Sequence, residues 1–287
     1  MSRAYRLMGI LNVTPDSFSD GGEHLAAGDA IAHGRLLAAE GADILDVGGE
    51  STRPGAEPVP EREELARTVP VIEALAASGI AARISIDTSK AAVAEAALAA
   101  GATLVNDVTA FRGDPAMAGV VANAGCDCCL MHMLGEPRTM QQDPRYDDVV
   151  DEVRAFLEER IEVALRAGVA LERIMLDPGI GFGKTEAHNL ELIERLGELA
   201  ELDRPLVIGT SRKAFLGRIA GRARGLDGPA GPAERLPGTI ATNVLALERG
   251  ASVFRVHDVG AARDALAVAA ATLAGPWTRR AARDPTT

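Results

Sequence analysis

The sequence predicts an α/β fold, a single (β/α)8 TIM barrel with its active site at the carboxyl ends of the strands, on three observations. Eight short apolar runs end in polar residues, at 7–12, 43–48, 83–87, 103–107, 128–132, 173–177, 205–209 and 252–257. Longer segments rich in Ala, Leu and Glu separate them, and such alternation builds a parallel sheet from right-handed βαβ units. At 287 residues the chain exceeds an ordinary domain but suits eight units closed as one barrel. One barrel domain is therefore expected over residues 1–275, with a frayed tail over 276–287.

The first run ends in Asn12 and leads into a polar loop over 14–28 with paired Gly21 and Gly22. The second holds Asp46 and leads into 51–60, where Arg53 and Pro54 sit among further breakers. Long loops at this face of a barrel are where substrates are closed in. Ser89 and Ser211 are expected to cap the helices after their strands, and Asp114-Pro115 to form an N-cap with proline in the first turn. Val149, Val153, Phe156, Leu157, Ile161, Ala164 and Leu165 recur at the spacing of one apolar helical face, with Glu158, Glu159 and Glu162 on the other side. The stretch 221–232, rich in Gly, Arg and Pro, is expected to be a mobile surface excursion.

The sixth run continues into Leu176-Asp177-Pro178-Gly179-Ile180-Gly181-Phe182-Gly183-Lys184-Thr185. A nucleotide P-loop needs its first glycine where Pro178 stands, and proline has no N–H to offer phosphate. The reading kept is a strand whose carboxyl end is capped by Asp177, where ligands meet an α/β sheet.

Closure of the strands would bring Asn12, Asp46, Asp87, Asn106, Asp107, Asp177, Lys213, Arg255 and His257 to one mouth. Asp87, Asn106 and Asp177 supply acceptors and an amide, the set that binds the donor-rich edge of a nitrogen heterocycle bearing an exocyclic amine. Lys213 can donate to a ring carbonyl. Arg53, Arg255 and His257 form a cationic group suited to an oligophosphate. Two alternatives stand beside this: Arg255 paired with Asp46 or Asp258, and His257 as a satisfied core histidine.

Composition narrows the partners. With 41 acidic and 30 basic residues the net charge is -11, which argues against a sequence-independent nucleic-acid binder. No window reaches the roughly 18 apolar residues of a membrane span, and the N-terminal run, interrupted by Asn12, does not read as a signal peptide. Cys126, Cys128 and Cys129 lack a second pair at metal-ligand spacing and read as buried thiols of a reducing, cytoplasmic compartment.

The run Met8-Gly9-Ile10-Leu11-Asn12-Val13-Thr14-Pro15-Asp16-Ser17-Phe18-Ser19-Asp20-Gly21-Gly22 resembles the opening signature of the dihydropteroate synthase family. The resemblance continues through 46–55, 85–88, Asn106-Asp107, 130–132, the Asp177 stretch, Ser211-Arg212-Lys213 and 255–258. It implies a (β/α)8 barrel that joins a dihydropterin-CH₂-diphosphate to 4-aminobenzoate, giving dihydropteroate and pyrophosphate in folate synthesis. By resemblance Asp87, Asn106, Asp177 and Lys213 hold the pterin, with Met131 and Phe182 packed near it. Asn12 is the position linked to Mg²⁺, and Arg53, Arg255 and His257 are linked to the diphosphate. Phe18, Thr52, Pro54 and Ser211 border the 4-aminobenzoate site, where sulfonamides compete. Asp177, Lys213, Arg255 and His257 are the residues expected to act in catalysis.

The nearest rival is a pterin-binding methyltransferase barrel, which has no use for the 14–28 loop or for the Ser-Arg-Lys and Arg-Val-His pair. A catalytically silent binding protein is the other. The family is usually dimeric, and Ile240, Val244 and Leu247 on a late helix could serve a homodimer, although barrel packing explains them equally well.

Overall fold

The computed structural model describes residues 5–13, 22–51, 56–136 and 138–275. Its strands are β1 (Arg6–Asn12), β2 (Ile44–Gly48), β3 (Arg83–Asp87), β4 (Leu104–Asp107), β5 (Asp127–Met131), β6 (Ile174–Asp177), β7 (Val207–Ile208) and β8 (Val253–Val256). The helices among the described residues are α1 (Gly22–Ala39), α2 (Glu61–Ala77), α3 (Ala91–Ala99), α4 (Met117–Ala124), α5 (Val149–Arg166), α6 (Glu186–Glu194), α7 (Leu196–Ala200), α8 (Ala214–Arg224), α9 (Leu236–Glu248) and α10 (Val259–Ala274). The eight strands pair in parallel in the order β6-β5-β4-β3-β2-β1-β8-β7. The ring closes between β6 and β7, where Leu176 bridges Leu206 and the Leu176 N–H donates to the Pro205 carbonyl at 3.0 Å. Each of the eight apolar runs holds one strand, and the (β/α)8 barrel is the observed fold.

Period-two alternation decides what each strand presents. Leu7, Leu11, Leu45, Val47, Ile86, Val105, Leu130, Leu176, Ile208 and Phe254 point outward into the helix layer and are fully buried there. Met8, Ile44, Leu104, Cys129, Met175, Val207 and Val253 point inward and form one apolar layer across the barrel. Burying each such side chain contributes roughly 1.5–3 kcal/mol, so this layer is a firm plug. Below it Asp127 pairs with Arg83 at 2.7 Å and Arg173 at 3.1 Å. Any polar site must lie above the plug, at the carboxyl ends.

Several local expectations are corrected. The polar stretch after β1 is not a loop as far as residue 28, because α1 begins at Gly22; the run Glu23-His24-Leu25-Ala26-Ala27 is mostly good helix formers. Asp114 opens the turn that leads into α4 as expected, its Oδ1 accepting the Ala116 N–H at 2.9 Å, two residues on across Pro115, although regular helix starts only at Met117. Its Oδ2 also accepts the Ala91 N–H at 2.9 Å, serving the start of α3. Neither Ser89 nor Ser211 caps: Lys90 and Lys213 hold the N-cap positions of α3 and α8, without a side-chain cap bond. The 221–232 stretch is exposed over 222–229, yet 221–224 complete α8. There a Cβ on Gly221 would meet the Gly228 carbonyl oxygen at 2.2 Å, so glycine is kept for a close approach of two backbones. The 149–165 segment is α5, opened by Asp148, whose carboxylate accepts the Val150 and Asp151 N–H groups. No helix among the described residues is long and apolar enough to cross a membrane. The tail 276–287 lies outside the described residues.

Candidate active site

One rung above the plug the inward register turns polar. Strand pairing aligns Ile10 with Asp46 and Asp46 with Ser85, and then Gly48 with Asp87 and Asp87 with Asn106. Asn12 shares the parity of Met8 and Ile10 and pairs with Gly48 at the rim. On the far side Met131 pairs with Asp177, and Arg255, two residues beyond the plug residue Val253, has the same inward parity.

These groups form one network. Arg255 Nε donates to Asp46 Oδ2 and Nη2 to Asp87 Oδ2, each at 2.6 Å. Asp46, wholly buried, also accepts from Ser85 Oγ at 2.6 Å and Asn106 Nδ2 at 3.0 Å. The last bond makes the Asn106 amide nitrogen the inner donor and leaves its carbonyl oxygen as an acceptor. Burial pushes the Asp87 carboxyl up to about 7, with Arg255 pulling it down and Asp46, Glu64 and Asp107 pushing it further up. The Arg255–Asp46 alternative is thus the arrangement found, and Asp258 is taken by another arginine.

The glycine-rich bend after β6 is built to hold Asp177 and two lysines. Asp177 Oδ1 accepts the Gly179 N–H at 2.7 Å, and the Gly181 N–H is taken by Asn189 Oδ1 at 2.6 Å. With these amides engaged inside the protein, the bend is no phosphate cradle. Gly179 and Gly183 take positive φ, and a Cβ on Gly179 would fall 1.8 Å from the His132 carbonyl oxygen. Burial raises the Asp177 carboxyl, opposed by the Gly179 N–H, Lys213, Arg255 and Lys184. Lys184 is buried, with Nζ 2.8 Å from His132 Nδ1 and 3.1 Å from the Phe182 carbonyl. Burial forces its ammonium well below the ordinary lysine range, and burial with Lys184 and Arg112 drives His132 down to about 2. Lys213 Nζ donates to the Ile180 carbonyl and sits 4.2 Å over the Phe182 ring. Burial lowers Lys213 to about 8, with Asp177 acting against it and Arg255 with it. Phe182 packs on Val108, Met131, Met133 and Met140, an apolar wall beside these polar groups.

Ser211-Arg212-Lys213 owes its geometry to one backbone torsion. Arg212 takes φ +56°, a left-handed conformation rare for a side-chain-bearing residue, and so turns out of line with its neighbours. Its guanidinium grips Asp258 at 2.9 and 2.5 Å, and its N–H donates to Thr239 Oγ1. Ser211 Oγ lies 2.9 Å from His257 Nδ1 and accepts the His257 N–H at 3.1 Å. Adjacent contacts therefore clamp the loop after β7 to the loop after β8.

Among the sequence-predicted residues, Asp87, Asn106, Arg255, Asp177, Lys213, Phe182 and Met131 line this one mouth, while Asn12 closes β1 and Ser211 with His257 forms one side. Asp107 does not belong there. It is the next residue after Asn106 and so faces outward, where its carboxylate accepts from Thr109 and Phe111 N–H and from Thr109 Oγ1. Phe18, Thr52, Arg53 and Pro54 lie outside the described residues, so the proposed partner of Arg255 and His257 in a cationic group is not placed. The depth of Lys184 and the Glu50–Lys90–Glu64 group was not foreseen. A lysine enclosed between Gly183 and a helix cap, and a lysine at the start of α3 matching two glutamates, were the available signals.

Asn12 is the one protein group implied for Mg²⁺. Among the described residues no cluster of three or more His, Cys, Asp or Glu is placed to hold a metal ion. A single amide oxygen suits a cation that draws its other oxygens from water and a diphosphate, the habit of Mg²⁺ at phosphate sites. The Asn12 amide fits such a substrate-borne ion.

A parallel barrel whose mouth opposes buried acceptors to a lysine beside an apolar wall defines an enzyme class, and the pterin binding enzyme family matches residues 8–257. The Escherichia coli (strain K12) dihydropteroate synthase is 45% identical over 274 residues, 96% of this chain and 94% of that protein. The structure of Xanthomonas albilineans dihydropteroate synthase with 4-aminobenzoic acid superposes with a TM-score of 0.87 at 50% identity, covering 95% of this chain and 94% of that one. The same enzyme in complex with 7,8-dihydropteroate gives a TM-score of 0.83 at 47% identity, with 95% of each chain covered. The chain belongs to the dihydropteroate synthase family.

Proposed function

We infer that this protein is a transferase that condenses 6-hydroxymethyl-7,8-dihydropterin diphosphate with 4-aminobenzoate, giving 7,8-dihydropteroate and pyrophosphate in folate biosynthesis. The observation that carries the reading is the meeting of Asp87, Asn106, Asp177 and Lys213 at one mouth. Three acceptor-bearing side chains there suit the N–H-rich edge of a pterin, and Lys213 suits its ring carbonyl. Phe182 and Met131 offer the flat ring an apolar wall.

The reaction needs no protein nucleophile. Pyrophosphate leaves with the electron pair of the C–O bond, and the methylene cation that remains is delocalised into the pterin, where Asp177 stabilises positive charge. The arylamine nitrogen then donates its lone pair to that carbon and loses a proton. Arg255, His257 and Arg53 are assigned to the departing diphosphate, Arg255 through what its bonds to Asp46 and Asp87 leave available. Asn12 would hold a Mg²⁺ ion that supplies neutralising charge on the leaving group. Phe18, Thr52, Pro54 and Ser211 are assigned to 4-aminobenzoate, with which sulfonamides would compete.

Mixing the protein with both substrates and Mg²⁺ should release pyrophosphate and form dihydropteroate. No release would leave a binding protein, a cobalamin requirement would mark a methyltransferase, and pyrophosphate retained covalently on the protein would contradict the dissociative route. The protein is assigned to the cytoplasm, which suits three buried free thiols. A homodimer is the proposed assembly, tested by sedimentation; Ile240 and Leu247 of α9 pack on the barrel core, the alternative that explains them without a partner.

A further inference from the structure

Behind the pterin-facing groups lies a lysine that the reaction as drawn does not use. Lys184 is buried at the end of the glycine-rich bend, its Nζ 2.8 Å from His132 Nδ1 and 3.1 Å from the Phe182 carbonyl. Both partners are uncharged acceptors, and burial holds the amine and the imidazole toward their neutral forms. A neutral amine has two N–H groups to give, and the imidazole nitrogen and the carbonyl take one each, which puts the ring proton of His132 on Nε2.

The bend has little to fix it from within, because Gly179, Gly181 and Gly183 all take positive φ and glycine imposes the weakest local preference. Side chains supply the hold. Four consecutive carbonyls each accept one donor: Ile180 from Lys213, Gly181 from Gln141, Phe182 from Lys184 and Gly183 from Tyr146. Gln141 is exposed and Tyr146 half-buried, whereas Lys184 works in the dry interior, where a hydrogen bond is stronger. His132 in turn belongs to the segment after β5, its N–H donating to the Asp177 carbonyl at 3.0 Å and its ring meeting Phe156 of α5 edge to face at 4.8 Å. Contacts therefore run unbroken from α5 through His132 and Lys184 to Phe182, whose ring lies under Lys213.

We propose that Lys184 and His132 form a buried latch that sets Phe182, the apolar wall of the pterin site, making Lys184 a positioning residue of the transferase for its pterin substrate. The inference rests on the functional reading above, in which Phe182 packs beside the pterin.

Two measurements on the full chain test it. Hydrogen exchange reads the latch without any ligand: Lys184→Met should speed exchange at Gly179 and Phe182, whose N–H groups are bonded within the bend, by about tenfold or more. Calorimetry reads the consequence: Kd for the pterin diphosphate should rise roughly tenfold in Lys184→Met and equally in His132→Leu, the scale of one buried hydrogen bond. His132→Asn, whose amide oxygen can accept in place of Nδ1, should stay within about threefold of wild type. The double variant Lys184→Met/His132→Leu should bind no more weakly than either single one, since the same interaction is lost once. It also removes both polar partners together, and stands in for a single variant that does not fold. Unchanged exchange in Lys184→Met overturns the latch, as does a loss of roughly hundredfold in the double variant, the product of two independent effects. A normal Kd in His132→Leu overturns it too, because Lys184 would then act on Asp177 by charge alone. Faster exchange with a wild-type Kd removes the positioning role. If the wild-type protein binds no pterin diphosphate, it is the functional reading that falls, and exchange still decides the latch.

Discussion

Arg255 on β8 and Asp87 on β3 meet at 2.6 Å across the barrel mouth, with Asp46 of β2 held by the same guanidinium. The pair joins strands separated by β1 and β2 in the ring, and it keeps two buried carboxylates compensated directly above the apolar plug.

Arg255→Met should accordingly destabilise the fold as well as the reaction. Breaking a buried pair by removing one partner costs about 3–5 kcal/mol, to be read by urea denaturation at pH 8. Asp87 titrates near 7, well above its ordinary 3.8, so the fold favours its neutral form. That preference contributes stability in full below 3.8 and loses it as pH rises through 7. The penalty of the substitution should therefore shrink at pH 5.5, where Asp87 is already protonated. Turnover should fall about 10²–10³-fold, as when a group aimed at developing charge is removed. Wild-type turnover would take Arg255 out of the mechanism, and equal penalties at the two pH values would dismiss Asp87 as its titrating partner.

Pterin diphosphate capture should have a narrow pH optimum. Asp87 accepts best when ionised, above about 7, and Lys213 donates best when charged, below about 8. The profile of kcat/KM for the pterin substrate should be a bell with limbs near those values. Asp87→Asn should flatten the acid limb, and Lys213→Met the basic one. A profile flat from pH 6 to 9 would refute both assignments.

Asp177→Asn separates binding from folding. The asparagine oxygen can still accept the Gly179 N–H, so the bend survives, while the charge offered to the pterin is lost. Affinity for the pterin diphosphate should drop by roughly 1.5–3 kcal/mol, the worth of a hydrogen bond to a charged group. Unchanged affinity by calorimetry would remove Asp177 from the pterin site.

Two glycines give opposite forecasts for the same alanine substitution. At Gly179 the new Cβ would fall on the His132 carbonyl at a backbone φ of +67°, and a loss of roughly 1–3 kcal/mol from the torsion alone is expected, with the clash in addition. At Gly119, inside α4 with open space around the site, alanine should stabilise by about 0.5–1 kcal/mol. Melting temperatures that moved the same way for both would refute this account of the bend.

The strands were legible because each is a short apolar run ending at a polar residue, and parallel strands buried on both faces leave that mark whatever surrounds them. The mouth was largely legible for a related reason: once the strands close, their last residues have only one place to go. Helix starts were less legible. Ser89, Ser211 and Asp114 each carry a capping side chain in a plausible place; Asp114 serves both its own Ala116 N–H and the Ala91 N–H of α3, but a tertiary partner, His257, claims Ser211.

The sequence by itself determined a closed α/β barrel and the chemical kinds of group at its rim, since hydrophobic alternation and strand-end residues are local properties. Which of two adjacent rim residues faces inward was left to the tertiary structure. Asn106 and Asp107 are equivalent candidates in the sequence, and strand register turns one toward Asp46 and the other toward Thr109. The same holds for charge. On paper Arg255 is open to a diphosphate or to a carboxylate such as Asp46 or Asp258, and in the fold it is a shared partner of Asp46 and Asp87, because only packing sets the distances on which electrostatic interactions depend.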